Sequence, residues 1–374
     1  MSCELTGFFS QMKKLLRGER LAQLKKKQWY GKVLWSLLFV VIAVASISVI
    51  VTQSRGFTWQ GFVEYLSEAS PVYVIAAVLC MLGFIWFEGV SLVFIARNFG
   101  YKSHLLDGLA YSSSDIYLSS ITPSATGGQP ASAYFMMQSG IPGTVATVSL
   151  LLNLMMYLIA MVVVGVLSFI LRPELFLSFS LLSKILIVLG ASVQLGLVFL
   201  FWLLLRKEKI LFGVCHKLLN FLEWLKILKK REKMEQRLES SMVRYRECAK
   251  MIAGKRRMVI GAFVFNLLQR LSLIMVTIFA YLGTGGSISQ ALDIGATQCY
   301  VYLGSNVIPM PGAIGVSDYI LLDGLGNLVE DYAHLGIFSR ALSFYFCVLL
   351  CGIIMLVSYV GYRVAHKRKE SSMK

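Results

Sequence analysis

Five charged side chains stand inside long apolar stretches of this sequence: Glu88, Asp115, Arg270, Asp318 and Arg340. A charge in such surroundings is costly and is kept where it pairs with another charge, moves, or binds something. Arg270 lies near the middle of its apolar run, and its planar guanidinium fork matches the oxygens of a phosphate. Two plainer roles compete with this. Glu88 or Asp115 would neutralise Arg270 as a structural pair, and Asp318 and Arg340 would sit at an interface. Asn153, Asn266 and Gln269 either line the same space or make ordinary hydrogen bonds between helices.

Two further segments combine apolar residues with helix breakers: TPSATGGQP at 122–130 and IPMPGAIG at 308–315. Where a broken helix restarts at membrane depth, its free N–H groups carry partial positive charge and suit a phosphate or carboxylate. In the first segment Thr122, Ser124 and Thr126 supply hydroxyls and Gly127 and Gly128 allow close backbone approach, with Gln129 and Tyr134 following to orient a headgroup. In the second, Pro309, Pro311, Gly312 and Gly315 offer the same geometry, with Asp318 and Tyr319 just beyond. The alternative is that these glycines only let helices pack closely. No HExxH, GxSxG or P-loop string occurs, the seven cysteines form no CxxC pair, and the four histidines are scattered. No catalytic residue, metal site, cofactor or disulfide is expected from these patterns.

The elements that must position these residues are membrane-spanning helices. Of 374 residues, 57% are hydrophobic and only 15% charged, well below the roughly 25% charged of a soluble chain. Apolar runs long enough to cross a bilayer core predict spans near 33–52, 71–95, 143–170, 181–205, 258–282 and 338–362. The first follows a long basic lead and reads as a retained anchor rather than a cleaved signal. The net charge of +16 divides into +6 over residues 1–32 and +10 over residues 206–257, with none left over elsewhere. Basic blocks beside apolar runs mark the cytoplasmic side, so both termini are expected there and nucleic acid is not the expected partner. The 206–257 block reads as an amphipathic, charged segment on the inner leaflet, either a regulatory surface or a plain connector.

Six spans leave 105–138 and 291–325 unassigned. The first must begin and end inside and the second outside, so each is expected to dip into the bilayer as a re-entrant hairpin. Broken backbone is tolerated there only against protein or a water-filled cavity. A shift of 185 residues aligns 117–134 with 302–319 at six positions, among them Tyr117/Tyr302, Gly127/Gly312, Ser132/Ser317 and Tyr134/Tyr319. Each half then reads span, span, hairpin, span, in opposite orientations. The expected fold is therefore an all-α polytopic membrane protein, six spans plus two hairpins in an inverted-topology repeat. Its expected divisions are a basic N-terminus 1–32, a first repeat 33–170, a second repeat 181–362 interrupted by 206–257, and a tail 363–374.

The stretches TPSATGGQPASAYFMMQSGIP (122–142) and IPMPGAIGVSDYILL (308–322) resemble the two signatures of the lysylphosphatidylglycerol synthase transmembrane region, a flippase-like family. The similarity in span order covers nearly the whole chain. Many members carry a Gly-Glu-Pro-x-Arg pattern at the first site and a Glu in the second, where this sequence has Gln129, Ser132 and Asp318. The chain is similar to the flippase part of multiple-peptide-resistance proteins. It ends twelve residues after the last expected span, so their tRNA-dependent aminoacyl-transfer domain is not expected. The resemblance implies a bacterial plasma-membrane protein that moves a phospholipid, aminoacylated or otherwise anionic, between leaflets. On this reading Arg270 holds phosphate. Two readings stay open beside it: a phosphatidylglycerol lysyltransferase or a synthase subunit in cationic-peptide resistance, and a transporter of a soluble solute. A separate lipid-modifying synthase and a second copy of the chain are the other partners this reading admits.

Overall fold

The computed structural model describes residues 59–122, 126–206, 250–305 and 315–372. These form α1 (Trp59–Ser67), α2 (Pro71–Asn98), α3 (Leu105–Ile121), α4 (Gly128–Gln138), α5 (Gly143–Leu171), α6 (Pro173–Ser178), α7 (Leu181–Arg206), α8 (Arg256–Gly283), α9 (Ala291–Ser305), α10 (Val316–Leu325), α11 (Tyr332–Arg340) and α12 (Cys347–Ser372). A π-helical turn, Ala341–Phe346, joins the last two. No strand occurs among the described residues. The expected span at 33–52 and most of the basic 206–257 block lie outside them.

Among the described residues, five helical stretches are long and apolar enough to cross a membrane: α2, α5, α7, α8, and α11 continuing through the π turn into α12. The last runs from Tyr332 to Val364, six residues ahead of the expected start at 338. Ala333, Leu335, Gly336 and Ile337 extend it by burying an apolar face. Outward faces carry what lipid chains require. On α12 the exposed Leu349, Ile353, Leu356 and Val360 recur at helical spacing. Pro71 and Pro173 open α2 and α6, where the missing N–H has no intrahelical partner to lose.

The core pair is α2 and α8, packed along their length. Each has 28 residues, and α8 begins 185 residues after α2, the same step as the sequence repeat. They run antiparallel. The Ser70 N–H donates to the Gly283 carbonyl at 2.7 Å, and Lys255 Nζ donates to the Asn98 carbonyl at 2.8 Å at the other end.

The segments 105–138 and 291–325 each fold as two helices separated by a break, α3 with α4 and α9 with α10. Their outer ends are tied to opposite ends of the bundle. Tyr362 of α12 donates to Asp107 near the start of α3 (3.0 Å) and shares a hydrogen bond with Ser139 after α4 (2.7 Å). This is the end where Arg97 caps the Ser103 carbonyl at 2.7 and 2.9 Å. At the opposite end Asp293 of α9 pairs with Arg172, and Asp323 of α10 accepts the Ser180 N–H at 2.9 Å. The inner ends of both pairs, with Ser120 and Gln129 in the first and Ser305 and Ser317 in the second, border one cavity.

Candidate functional site

Between the two broken helix pairs lies a cavity of about 730 Å³. Its floor and walls draw on α2, α3, α5, α7, α8, α9, α10, α11, the π turn and α12. Glu88, Asp115, Gln129, Arg270, Asp318 and Arg340, read from the sequence as isolated charged or polar positions, all border it, as do Asn153, Asn266 and Gln269.

Arg270 is 6% exposed and makes no hydrogen bond or ion pair with any described residue; its Nε is buried without an acceptor. What holds it is aromatic. The guanidinium carbon sits 4.5 Å from the Tyr157 ring centre and 4.9 Å from that of Phe84. Two ring faces supply negative quadrupole without a formal charge, so the guanidinium edge stays available to an anion. Neither Glu88 nor Asp115 serves as its ion-pair partner.

Those two carboxyl groups instead face each other on the cavity wall. Gln269 Nε2 donates to Glu88 Oε2 at 2.8 Å. Ser119 Oγ donates to Asp115 Oδ1 at 3.0 Å and Gln129 Nε2 to Asp115 Oδ2 at 3.4 Å. Asp115 lies against Gly128, the first residue of α4, where any Cβ would run into its carboxylate and the Ser119 hydroxyl. At the second break Asp318 sits in the first turn of α10, accepts the Gly315 N–H at 3.0 Å, and pairs with Arg340 at 3.1 Å. Gly315 adopts φ +89°, a left-handed conformation that suits glycine. At both restarts a carboxylate of the chain itself meets the positive helix end.

Two polar knots hold the walls. Asn266 Nδ2 donates to Asn153 Oδ1 (2.8 Å) and Ser91 Oγ (3.2 Å), while Ser91 Oγ donates to Asn153 Oδ1 (2.6 Å), tying α8, α5 and α2. Thr277 Oγ1 donates to Gln298 Oε1 (3.0 Å) and shares a hydrogen bond with Ser339 Oγ (2.8 Å), tying α8, α9 and α11. Asn153 and Asn266 thus act as interhelical ties beside the cavity.

The other positions singled out in the sequence fall elsewhere. Thr122 Oγ1 accepts the Gly127 N–H at 2.9 Å and shapes the turn into α4. Tyr134 is 39% exposed and packs edge-on to Phe135. The Tyr319 hydroxyl pairs with Ser180 at 3.2 Å. Neither tyrosine borders the cavity. Pro309, Pro311 and Gly312 lie outside the described residues, as does Ser124. Phe84, Tyr157, Tyr302, Gln194 and Gln298 border the cavity without having been foreseen. The glutamines were readable as polar residues in apolar helices, whereas the aromatics look like ordinary span residues. No group of three or more His, Cys, Asp or Glu among the described residues is placed to hold a metal.

Apolar helices of spanning length packed around a cavity bordered by buried polar and charged side chains define an all-helical, multi-pass membrane protein. The chain belongs to the lysylphosphatidylglycerol synthase TM region family, whose model matches residues 33–351. Membership assigns it to membrane proteins of lipid-related function. Comparison with curated proteins returns no match.

Proposed function

We propose that this protein moves an anionic phospholipid between the leaflets of a bacterial plasma membrane. The observation that carries the reading is Arg270: a buried guanidinium on the cavity wall, held by two rings, with no carboxylate in hydrogen-bond or ion-pair contact. Burying a charge without a partner costs several kcal/mol, and a phosphate docking in the cavity offsets that cost with charge-assisted hydrogen bonds. Lipid is favoured over a soluble solute by the α7 side of the cavity. There Val193 and Leu197 border the cavity and are each 43% exposed on the outer apolar surface, an opening through which acyl chains can stay in the bilayer while the headgroup is enclosed.

The antiparallel α2/α8 pair at the repeat spacing, and helix pairs tied to opposite ends of the bundle, support an inverted repeat with two re-entrant hairpins. Such halves rock about a central site to expose it alternately. Arg97, Lys255, Arg256 and Arg257 gather at one end, which fits a cytoplasmic face there and both termini on that side.

The test is reconstitution. Proteoliposomes carrying a headgroup-labelled phosphatidylglycerol are scored for leaflet exposure with an impermeant quencher. Wild type equilibrates the label and Arg270→Ala does not; equal rates for the two would overturn the reading. The family's name keeps a second reading in view, a partner in aminoacyl-lipid synthesis. Loss of aminoacylated lipid from total extracts of a deletion strain supports it, while unchanged total lipid with altered outer-leaflet exposure supports translocation.

A further inference from the structure

Resting on that reading, we propose that Glu88 and Asp115 form a proton-binding site that takes up one proton when an anion docks on Arg270, so that lipid movement is linked to a proton gradient. The two side chains are 7% and 8% exposed and face each other on the wall of one cavity. Two ionised carboxylates in such a place repel and have only acceptors to offer, so the pair holds one proton. The hydrogen bonds to the pair come from the neutral donors Gln269, Ser119 and Gln129. With one proton the pair carries a single negative charge.

The surrounding charges fix what happens next. From α8, Arg270 faces the pair; from α12, Cys351 faces Glu88. Tyr157 of α5 and Tyr302 of α9 face Arg270 from the other side. Asp318 and Arg340 neutralise each other. The charges around the cavity are thus balanced, Arg270 against the pair. A phosphate monoanion arriving at Arg270 leaves one negative charge in excess, in a medium where charge is expensive. Transfer of a proton from water to the remaining carboxylate restores the balance. By linkage, anion and proton then favour each other's binding.

A second, independent feature marks the receiving end. Gln269 is 2% exposed, and while its Nε2 donates to Glu88, its Oε1 is buried with no donor. An amide turned end for end donates to a carboxylate and accepts from a carboxylic acid. The orphan Oε1 is the acceptor that the newly formed hydroxyl needs.

Calorimetric titration of the purified full chain in detergent with short-chain phosphatidylglycerol, in buffers of different ionisation enthalpy at one pH, reads proton uptake directly. The expected result is uptake approaching one proton per lipid bound. Affinity should rise as pH falls, by up to about tenfold per unit. Glu88→Gln combined with Asp115→Asn, which together mimic the doubly protonated pair, should bind with the wild type's low-pH affinity at every pH and take up no proton. Binding of the lipid to wild type with no buffer dependence overturns the proton site and leaves the translocation reading standing. Absence of binding at any pH overturns both. Because the wild-type titration decides by itself, a variant that fails to fold does not rescue the proposal.

Discussion

Arg270 of α8 and Tyr157 of α5 stack with the guanidinium carbon 4.5 Å from the ring centre, and no carboxylate of the described residues pairs with that arginine. The chain has acids to spare beside it. Glu88 and Asp115 take hydrogen bonds from neutral donors instead, and Asp318 is taken by Arg340. Holding a cation by ring faces rather than by a carboxylate keeps the hydrogen-bonding edge open, so an incoming phosphate displaces no counter-ion.

Arg270→Lys tests the fork against the bare charge. An ammonium preserves the charge but cannot grip two phosphate oxygens in one plane or stack between Phe84 and Tyr157. Losing one charge-assisted hydrogen bond costs roughly 1.5–3 kcal/mol, so anionic-lipid affinity should fall by about one to two orders of magnitude. Titration with short-chain phosphatidylglycerol measures this. A lysine variant of wild-type affinity would show that any cation suffices.

Tyr157→Leu removes one ring face and Tyr157→Phe keeps it. A desolvated cation–π contact contributes up to about 2 kcal/mol. The leucine variant should therefore lose affinity and thermal stability together, while the phenylalanine variant stays close to wild type. The comparison separates the ring from its hydroxyl, and equal losses in both variants would assign the effect to the hydroxyl.

The Asp318–Arg340 pair is buried on the acid side, with the Asp318 side chain only 1% exposed. Asp318→Asn takes its acid from the Arg340 guanidinium, which is 13% exposed, and weakens the bond that caps α10. Breaking such a pair from one side costs about 3–5 kcal/mol, whereas removing both charges is far milder. Thermal unfolding in detergent should show Asp318→Asn well below wild type, and Asp318→Asn with Arg340→Gln recovering much of the difference. Additive losses in the double variant would mean that the two charges do not stabilise each other.

What the sequence disclosed and what it withheld divide along physical lines. Apolar length revealed α2, α5, α7 and α8, because crossing a bilayer leaves few alternatives to a helix. Glycine and proline breaks marked out 105–138 and 291–325. Charged residues in apolar runs led to Glu88, Asp115, Arg270, Asp318 and Arg340. Partnership was not legible. Pairing each acid with its cation needs the rotation of every helix, which composition does not contain. Phe84 and Tyr157 carry no signal that separates a cation-holding ring from a lipid-facing one. The 185-residue repeat was also no guide to chemistry, since Arg270 and Glu88 map onto Ile85 and Leu273 in the other half. The halves share a scaffold, and the site is built from what they do not share.

Gly128 gives the sharpest test of how closely the first break is fitted to its acid. A methyl group at this position would occupy the space of the Asp115 carboxylate and the Ser119 hydroxyl, and would also press on the Asp115 backbone carbonyl at 2.6 Å. Neither neighbour is the free end of a long side chain, so α4 must shift or Asp115 must leave its bonds to Ser119 and Gln129. Overpacking of this kind costs about 1–3 kcal/mol. Gly196 of α7 is the control, because a methyl group there meets nothing within 4 Å and alanine improves helix propensity by roughly 1 kcal/mol. Gly128→Ala should lower the unfolding temperature and the rate of lipid translocation per folded molecule, while Gly196→Ala leaves both at or above wild type. If Gly128→Ala lowered stability alone, with translocation intact, the seating of Asp115 against α4 would be a matter of packing and not of transport.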